Sequence, residues 1–189
     1  MAGHSKWAQI KRKKEATDAA KSRVFSRYAR LIALESKKAG GKTDAPNLKA
    51  VIDRAKAANM PKDNIERAIT KGALRDAASF EQVAYEAYGP GGAAIIIDVL
   101  TDNRNRTTQE LKRLLGEHDS ELASPGAASW AFIKTSAGGF AAREPLVEIA
   151  GNDEAKLAEI LSALNEYEDV QIVYTNARDY ESAGEDPRL

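Results

Sequence analysis

Cysteine is absent from this 189-residue sequence, and histidine occurs only twice. The lack of cysteine excludes a disulfide framework, a thiolate nucleophile and a Cys-ligated zinc site. His4 and His118 are too few for a His-rich metal site. No apolar run approaches the roughly 20 residues that a membrane-spanning helix needs. We therefore expect no metal, no cofactor and no membrane partner.

Targeting and catalytic signatures are also scarce. Residues 1–14 are basic, but they lack the apolar core of a secretory signal and the Ser and Arg enrichment of a mitochondrial presequence. No HExxH or Ser-His-Asp pattern stands in a recognisable frame. Asp98, Asp102 and Glu86 could in principle assemble a Mg²⁺ site, although scattered carboxylates in an acidic region are usually a solvated surface. We expect a cytoplasmic monomer with no catalytic residues and no enzymatic activity.

The charges that are present are sorted into two opposite halves. Residues 1–75 carry 19 Lys and Arg against 7 Asp and Glu, a net charge of +12. Residues 76–189 carry 9 basic and 21 acidic residues, a net charge of −12, so the whole chain is formally neutral. A basic segment of this strength indicates a polyanionic partner, nucleic acid above all, although Lys and Arg also serve solubility.

The first half reads as a polar arm followed by three helices. The arm ends near residue 14, and an apolar stripe predicts a helix over residues 16–38. A second helix begins near Asn47, and a third is opened by Pro61 and closed by Gly72. Residues 1–75 are thus predicted to form a basic arm and a three-helix bundle.

The second half changes to strand patterns. A strand over residues 83–87, the turn Gly89-Pro90-Gly91-Gly92 and a buried strand over residues 93–100 come first. There follow a helix over residues 106–118, strands over 129–133 and 146–149, a helix capped by Asn152 and a strand over 170–174. Without its first strand this order is β-α-β-β-α-β, the ferredoxin-like arrangement. Residues 76–177 are thus predicted to form an acidic α+β domain of this ferredoxin-like type, with an extra hairpin strand at its N-terminus. Residues 178–189 are predicted to be a disordered tail.

The candidate nucleic-acid contacts are basic residues of the arm and first helix. On a helical wheel Arg23, Arg27, Arg30 and Lys37 share a face that differs from the apolar stripe. Such side chains neutralise phosphates and contribute affinity without reading sequence. The full set is Lys6, Lys11, Arg12, Lys13, Lys14, Lys21, Arg23, Arg27, Arg30 and Lys37.

One aromatic residue joins this set. Trp7 lies beside the lysines of the arm, where it could stack on an exposed base or instead pack against the helix bundle. Tyr28 lies within the apolar stripe of the first helix, so it is predicted to be a core residue.

Two loops could hold a phosphate. The turn over residues 89–92 lacks the Lys-Ser/Thr of a P-loop and is better read as a hairpin connection. The segment from Asp102 to Thr107 lies between a strand and a helix, where Arg104 and Arg106 could hold an anion at the free backbone N–H groups. The alternative is that Asp102 and Asn105 cap the helix while the arginines pair with acidic neighbours.

Several stretches between Met1 and about Asn176 form recognisable motifs. They are Met1-Ala-Gly-His-Ser-Lys-Trp7 with its basic cluster, Asn59-Met-Pro-Lys-Asp-Asn-Ile-Glu-Arg-Ala-Ile69, Tyr88-Gly-Pro-Gly-Gly92, Leu100-Thr-Asp-Asn-Arg-Asn-Arg-Thr107 and Asp169-Val-Gln-Ile-Val-Tyr174. In sequence and in order these stretches resemble the YebC/PmpR family, which is usually described as transcriptional regulators and includes the mitochondrial translational activator of cytochrome oxidase subunit I.

The resemblance implies a DNA-binding transcriptional regulator. The mitochondrial member implies an alternative, a ribosome-associated translation factor that contacts ribosomal or transfer RNA. A protein–protein adaptor is a third, less favoured class. The family normally carries a third domain after the strand that contains Trp130, whereas only residues 133–145 bridge the corresponding elements here. We therefore expect a reduced, two-domain member.

Overall fold

The computed structural model describes Lys6 and residues 18–74, 79–136 and 139–180. These residues form an α+β fold, as predicted, with three helices first and antiparallel strands with two further helices after them. No helix of the described part is long and apolar enough to cross a membrane. The predicted boundary between residues 75 and 76 falls outside the described residues and stays a prediction.

The first unit is the predicted three-helix bundle. Its helices are α1 (Asp18–Ala39), α2 (Pro46–Ala57) and α3 (Lys62–Ala73). Pro46 begins α2, where its missing N–H costs no intrahelical hydrogen bond, and Pro61 directly precedes α3. The apolar stripes of the three helices meet in one core that includes Leu31, Ile32, Leu48, Val51, Ile52, Ala55, Ile65 and Ala68.

Gly72 sets the distance between α1 and α3. A β-carbon at this position would lie 2.3 Å from the carbonyl oxygen of Ala33, so any side chain would push the two helices apart. Gly72 was predicted to close its helix, but α3 continues to Ala73. The glycine serves helix packing rather than helix termination.

A hairpin forms the centre of the main sheet. Strand β1 (Glu81–Tyr88) pairs antiparallel with β2 (Ala94–Thr101), and the turn over residues 89–92 connects them, as predicted. Gly91 and Gly92 have φ values of 66° and 80°, which glycine adopts without steric cost. Strand β3 (Glu121–Ala123) pairs with β1, and β6 (Val170–Thr175) pairs with β2, which gives the order β3-β1-β2-β6.

Strand β2 is buried along its whole length, in agreement with its continuous apolar run. The elements that cover it are α4 (Arg104–Gly116), α5 (Asn152–Glu166) and a hairpin of β4 (Phe132–Lys134) and β5 (Phe140–Ala142). Ile95 and Ile97 belong to the core formed with the two helices. Ile96 packs on the opposite face, in a cluster with Phe132 of the small hairpin.

The two middle strands of the predicted order are placed differently. Residues 129–131 form a 3-10 turn, and residues 132–134 pair with β5 in a separate two-stranded sheet. Residues 146–149 are not a strand, and Val147 makes a single parallel bridge to Ala177. On one side β2 pairs with β1, and not with a strand over residues 146–149. The turn between β1 and β2 is short, so the loop-closure entropy of this pairing is small.

Two predictions about the C-terminal elements also need correction. Gly151, with a φ of 62°, is the N-cap of α5, and Asn152 is already inside the helix. The tail predicted to be disordered from residue 178 is ordered at its start. Tyr180 is only 4% exposed and packs in the sheet–helix core, while Arg178 pairs with Glu148. Residues 181–189 lie outside the described residues.

The helical unit and the sheet unit pack directly on each other. Leu100, near the end of β2, is 1% exposed and belongs to the core of the helical bundle rather than to that of the sheet. Phe80, immediately before β1, packs against the same core. This contact places the surface of α1 beside the loop that joins α5 to β6.

Candidate nucleic-acid interface

Most of the predicted arm lies outside the described residues, including Trp7, Lys11, Arg12, Lys13 and Lys14. Their assignment as nucleic-acid contacts stays a prediction, as does the choice between the stacked and the packed position of Trp7.

Lys6 is described, and it contacts the acidic half of the chain. Its ammonium nitrogen lies 2.6 Å from Oε1 of Glu154, which also accepts a hydrogen bond from the Tyr180 hydroxyl at 3.2 Å. The hydrogen bond and charge of Glu154 raise the pKa of Lys6, and the hydrogen bond from Lys6 lowers the pKa of Glu154. The Lys6 side chain is 56% exposed, so salt screens this pair and a phosphate can compete for the lysine.

The predicted cationic face of α1 is divided by the structure. Lys21 and Lys37, near the two ends of the helix, are exposed, and Arg23 is half-buried. Lys37 reaches Ser79 Oγ at 3.4 Å. These three residues keep the surface position that a phosphate contact requires.

Arg27 and Arg30, in contrast, face the sheet unit. Arg27 is 8% exposed, and its Nη2 donates to the backbone carbonyl and, at 3.1 Å, to the side-chain oxygen of Asn165. Arg30 donates from Nη1 at 2.6 Å to both the Glu168 carbonyl and Asp169 Oδ1. The helical wheel correctly excluded these arginines from the apolar stripe of the bundle. The expectation that they are free to contact phosphate is wrong for this structure, because the loop after α5 covers them.

Asp169 joins three elements through its buried carboxylate. Besides Arg30, the carboxylate accepts hydrogen bonds from Arg106 at 3.1 Å, Thr107 at 2.6 Å and Tyr167 at 3.0 Å. Burial alone would raise the pKa of Asp169, but the hydrogen bonds from Thr107 and Arg106 and the charge of Arg30 outweigh it and hold the pKa below its usual value. Asp169 is therefore a charged structural link between α1, α4 and β6.

In the segment from Asp102 to Thr107, one of the two arginines, Arg106, pairs with acidic neighbours. Asn103 caps α4, since its side-chain oxygen accepts from the Arg106 N–H at 3.0 Å. The Arg106 guanidinium binds Asp102 at 2.8 Å in addition to Asp169, and these hydrogen bonds raise its pKa. Arg104 is exposed, and its role in anion binding stays a prediction.

The three carboxylates considered for a Mg²⁺ site have separate structural roles. The Glu86 oxygens accept hydrogen bonds from the backbone N–H groups of the turn before β4, at Gly126, Ala128 and Ser129. Asp98 is 2% exposed and accepts from Gln82, while Asp102 pairs with Arg106. Within residues 18–74, 79–136 and 139–180, no group of three or more acidic, His or Cys side chains could hold a metal ion.

An open groove of about 520 Å³ runs between α1 and α3 and ends at the sheet unit. Two cations of α3, Arg67 and Lys71, line it, and neither was among the predicted site residues. Neither makes an ion pair with a described residue; Arg67 bonds instead to the Asn64 side chain and to the Asp63 carbonyl. The sequence indicates that Arg67 and Lys71 lie together, since residues four apart share one face of a helix.

Comparison with protein families identifies the chain. A model described as the TACO1/YebC protein N-terminal domain matches residues 5–75, and one described as the TACO1/YebC second and third domain matches residues 80–144. The chain belongs to the TACO1/YebC family. The first match covers the arm and the helices that line the groove, and the second covers β1 through β5.

Bacterial relatives agree with this assignment. Proteins named "probable transcriptional regulatory protein" from Dictyoglomus thermophilum and Carboxydothermus hydrogenoformans are 47% and 48% identical to the chain over 134 residues. These alignments cover 70% of this chain but only 54% and 55% of the relatives, so the chain spans about half the length of the curated relatives it matches.

A solved structure extends the likeness to the fold. The crystal structure of a conserved hypothetical protein from Aquifex aeolicus matches with a TM-score of 0.76 and 28% sequence identity. The match covers 85% of this chain and 91% of that one, a larger share of this chain than the sequence alignments cover.

Proposed function

We propose that this member of the TACO1/YebC family is a nucleic-acid-binding regulator of gene expression, without enzymatic activity, that acts as a cytoplasmic monomer. The observation that carries the proposal is the net charge of +12 on residues 1–75. A charge of this size on one small unit attracts a phosphate backbone over a long range.

The described helices offer exposed cations for this contact. Lys21 near the start of α1 and Lys71 near the end of α3 are exposed and form no ion pair with a described residue. Arg27 and Arg30 leave the proposed set, because they hold the sheet unit in place. The phosphate-binding surface thus consists of the arm, the exposed cations near both ends of α1 and the exposed face of α3.

Two kinds of nucleic acid are candidates. The name of the bacterial relatives refers to transcription, which favours duplex DNA as the target. A translation factor that contacts ribosomal or transfer RNA is the alternative. It is favoured by Trp7 among the lysines of the arm, because irregular RNA offers unpaired bases for stacking.

Salt titration tests the electrostatic part of the proposal. With about 6 phosphate contacts, the affinity of the full chain for a labelled DNA duplex or a structured RNA should fall on the order of 1000-fold between about 50 and 200 mM salt. Binding to both that is insensitive to salt, or no binding to either at low salt, would overturn the proposal.

Sedimentation of a cell lysate separates the two candidates. Co-migration with ribosomal subunits that survives DNase but not RNase indicates the translation factor. A protein that stays at the top of the gradient and recovers defined promoter fragments indicates the DNA-binding regulator. The first outcome excludes duplex DNA as the main target, and the second excludes the ribosome.

A further inference from the structure

The groove between α1 and α3 is large enough to receive a small ligand or one unit of a larger one. Its volume of about 520 Å³ lies within the roughly 300–1,000 Å³ of small-molecule pockets. Two aromatic rings line it, Phe25 of α1 and Phe80 before β1, and both are partly exposed. A planar ligand in the groove would lie beside these two rings.

The charged groups of the groove come from α3, from the sheet unit and, with Arg30, from α1. Arg67 and Lys71 lie on the α3 wall without an acidic partner among the described residues. Asp102 and Glu168 lie on the wall formed by the sheet unit, and each is held there by an arginine, Arg106 and Arg30 respectively. The pairing of Glu81 with Thr101 brings Phe80 next to Asp102.

We propose that this groove receives one unpaired nucleotide of the bound nucleic acid, with its phosphate at Arg67 and Lys71 and its base against Phe25 or Phe80. The inference rests on the proposed function and goes further, because it names an unpaired nucleotide as the recognised feature. An anionic phosphate attached to a flat, largely apolar base with amino groups at its edge matches a cationic wall, aromatic rings and a wall of carboxylates.

A base pair in a regular duplex does not satisfy these contacts. Its faces are covered by the neighbouring pairs, so the aromatic rings have nothing to stack on. An acidic peptide would match the cations of α3, but its carboxylates would meet Asp102 and Glu168 on the opposite wall as like charges.

The experiment compares two RNA duplexes that differ by one nucleotide. The full chain is titrated with a perfect duplex and with the same duplex carrying a single unpaired adenosine in the middle. We expect about tenfold tighter binding to the bulged duplex, the size of one base–aromatic stack. Equal, salt-dependent affinity for the two would overturn this inference and leave the proposed function standing, whereas absent binding to both would overturn the proposed function as well.

Substitutions locate the preference in the groove. Phe25→Leu and Phe80→Leu retain apolar volume for the bundle core but remove the ring, so each should reduce the preference for the bulged duplex while binding to the perfect duplex persists. Lys71→Gln should weaken binding to the bulged duplex more than Lys49→Gln, a matched loss of charge at an exposed site of α2 outside the groove. Equal effects of the two lysine changes would contradict the proposed phosphate position.

Photo-crosslinking of the unchanged protein does not depend on how well the variants fold. With 5-iodouridine as the unpaired nucleotide, the crosslink should map to the peptide that contains Phe25 or the one that contains Phe80. A crosslink confined to any other peptide, such as the basic arm, would overturn the inference.

Discussion

Arg30 of the basic half and Asp169 of the acidic half lie 2.6 Å apart, from Nη1 to Oδ1, and join the two units of the chain. Asp169 is fixed on the sheet side by its own carbonyl, which accepts from the Leu100 N–H at 2.8 Å. The oppositely charged halves of the chain are therefore joined by an ion pair between them. Part of the positive charge of α1 is paired with acidic residues within the molecule.

Asp169→Asn is predicted to destabilise the fold. Asparagine keeps the shape but loses the buried charge that Arg30 and Arg106 share, so each arginine keeps only its more exposed partner, Glu168 or Asp102. We expect the free energy of unfolding to fall by about 2 kcal/mol, since the arginines are partly exposed and solvent reduces the effect. Urea denaturation at pH 7 measures it. Asp102→Asn, which removes an exposed partner of Arg106, is the matched control and should cost less than about 1 kcal/mol.

The contribution of Asp169 should depend on pH in one direction. Because its pKa is lower in the folded chain than the usual value of about 3.9, the unfolded chain takes up the proton first as the pH falls. The stability difference between the wild type and Asp169→Asn should thus be full above about pH 5 and shrink as the pH drops below about 4. A series of urea titrations from pH 7 to pH 3 follows it. A difference that stays constant over this range would contradict the charged link.

The sequence predicted the elements whose signal is local. The apolar run of β2 and the periodic stripes of α4 and α5 indicate their own burial, and the structure confirms all three. Strand β3 was missed because it has three residues and no alternating pattern of its own. It forms because it pairs with Glu86, Ala87 and Tyr88 of β1, and the residues of β3 alone do not indicate this pairing.

The candidate site shows the same limit. A helical wheel states correctly that Arg27 and Arg30 lie off the apolar stripe, but it does not reveal what covers their face. Their partners Asn165 and Asp169 are 138 and 139 residues away in the sequence. The groove was hidden for the same reason, since its walls come from α1, α3 and the sheet unit, and only the folded chain brings them together.

Gly72→Ala should destabilise the helical bundle although alanine is the better helix former. The added methyl group would meet the backbone of Ala33, which cannot move without shifting α1. Overpacking of this kind typically costs about 1–3 kcal/mol. Gly116→Ala in the last turn of α4 is the control, because nothing lies within 4 Å of its β-carbon position. Thermal unfolding should show a lower melting temperature for the first variant and an equal or higher one for the second.

Some cations of α1 are exposed and others contact the sheet unit. Substitutions in these two groups are predicted to have opposite effects on stability and on the salt dependence of binding. Lys21→Gln with Arg23→Gln removes charge near the start of α1, away from the contact with the sheet unit, so the free energy of unfolding should change by less than about 0.5 kcal/mol. If both residues contact phosphate, the slope of log K against log salt should become shallower by about 1.8, or 0.9 per contact.

Arg27→Gln with Arg30→Gln should instead lower stability, because Asn165 and Glu168 lose the hydrogen bonds that these arginines donate and Asp169 loses one of its four donors. Its salt slope should match that of the wild type under conditions in which the variant is folded. Urea denaturation and binding titrations on both double variants test the division. If the Arg27 and Arg30 variant unfolds like the wild type but has the shallower salt slope, then nucleic acid displaces the sheet unit from this face of α1. The contact between Arg30 and Asp169 would then be one that opens on binding.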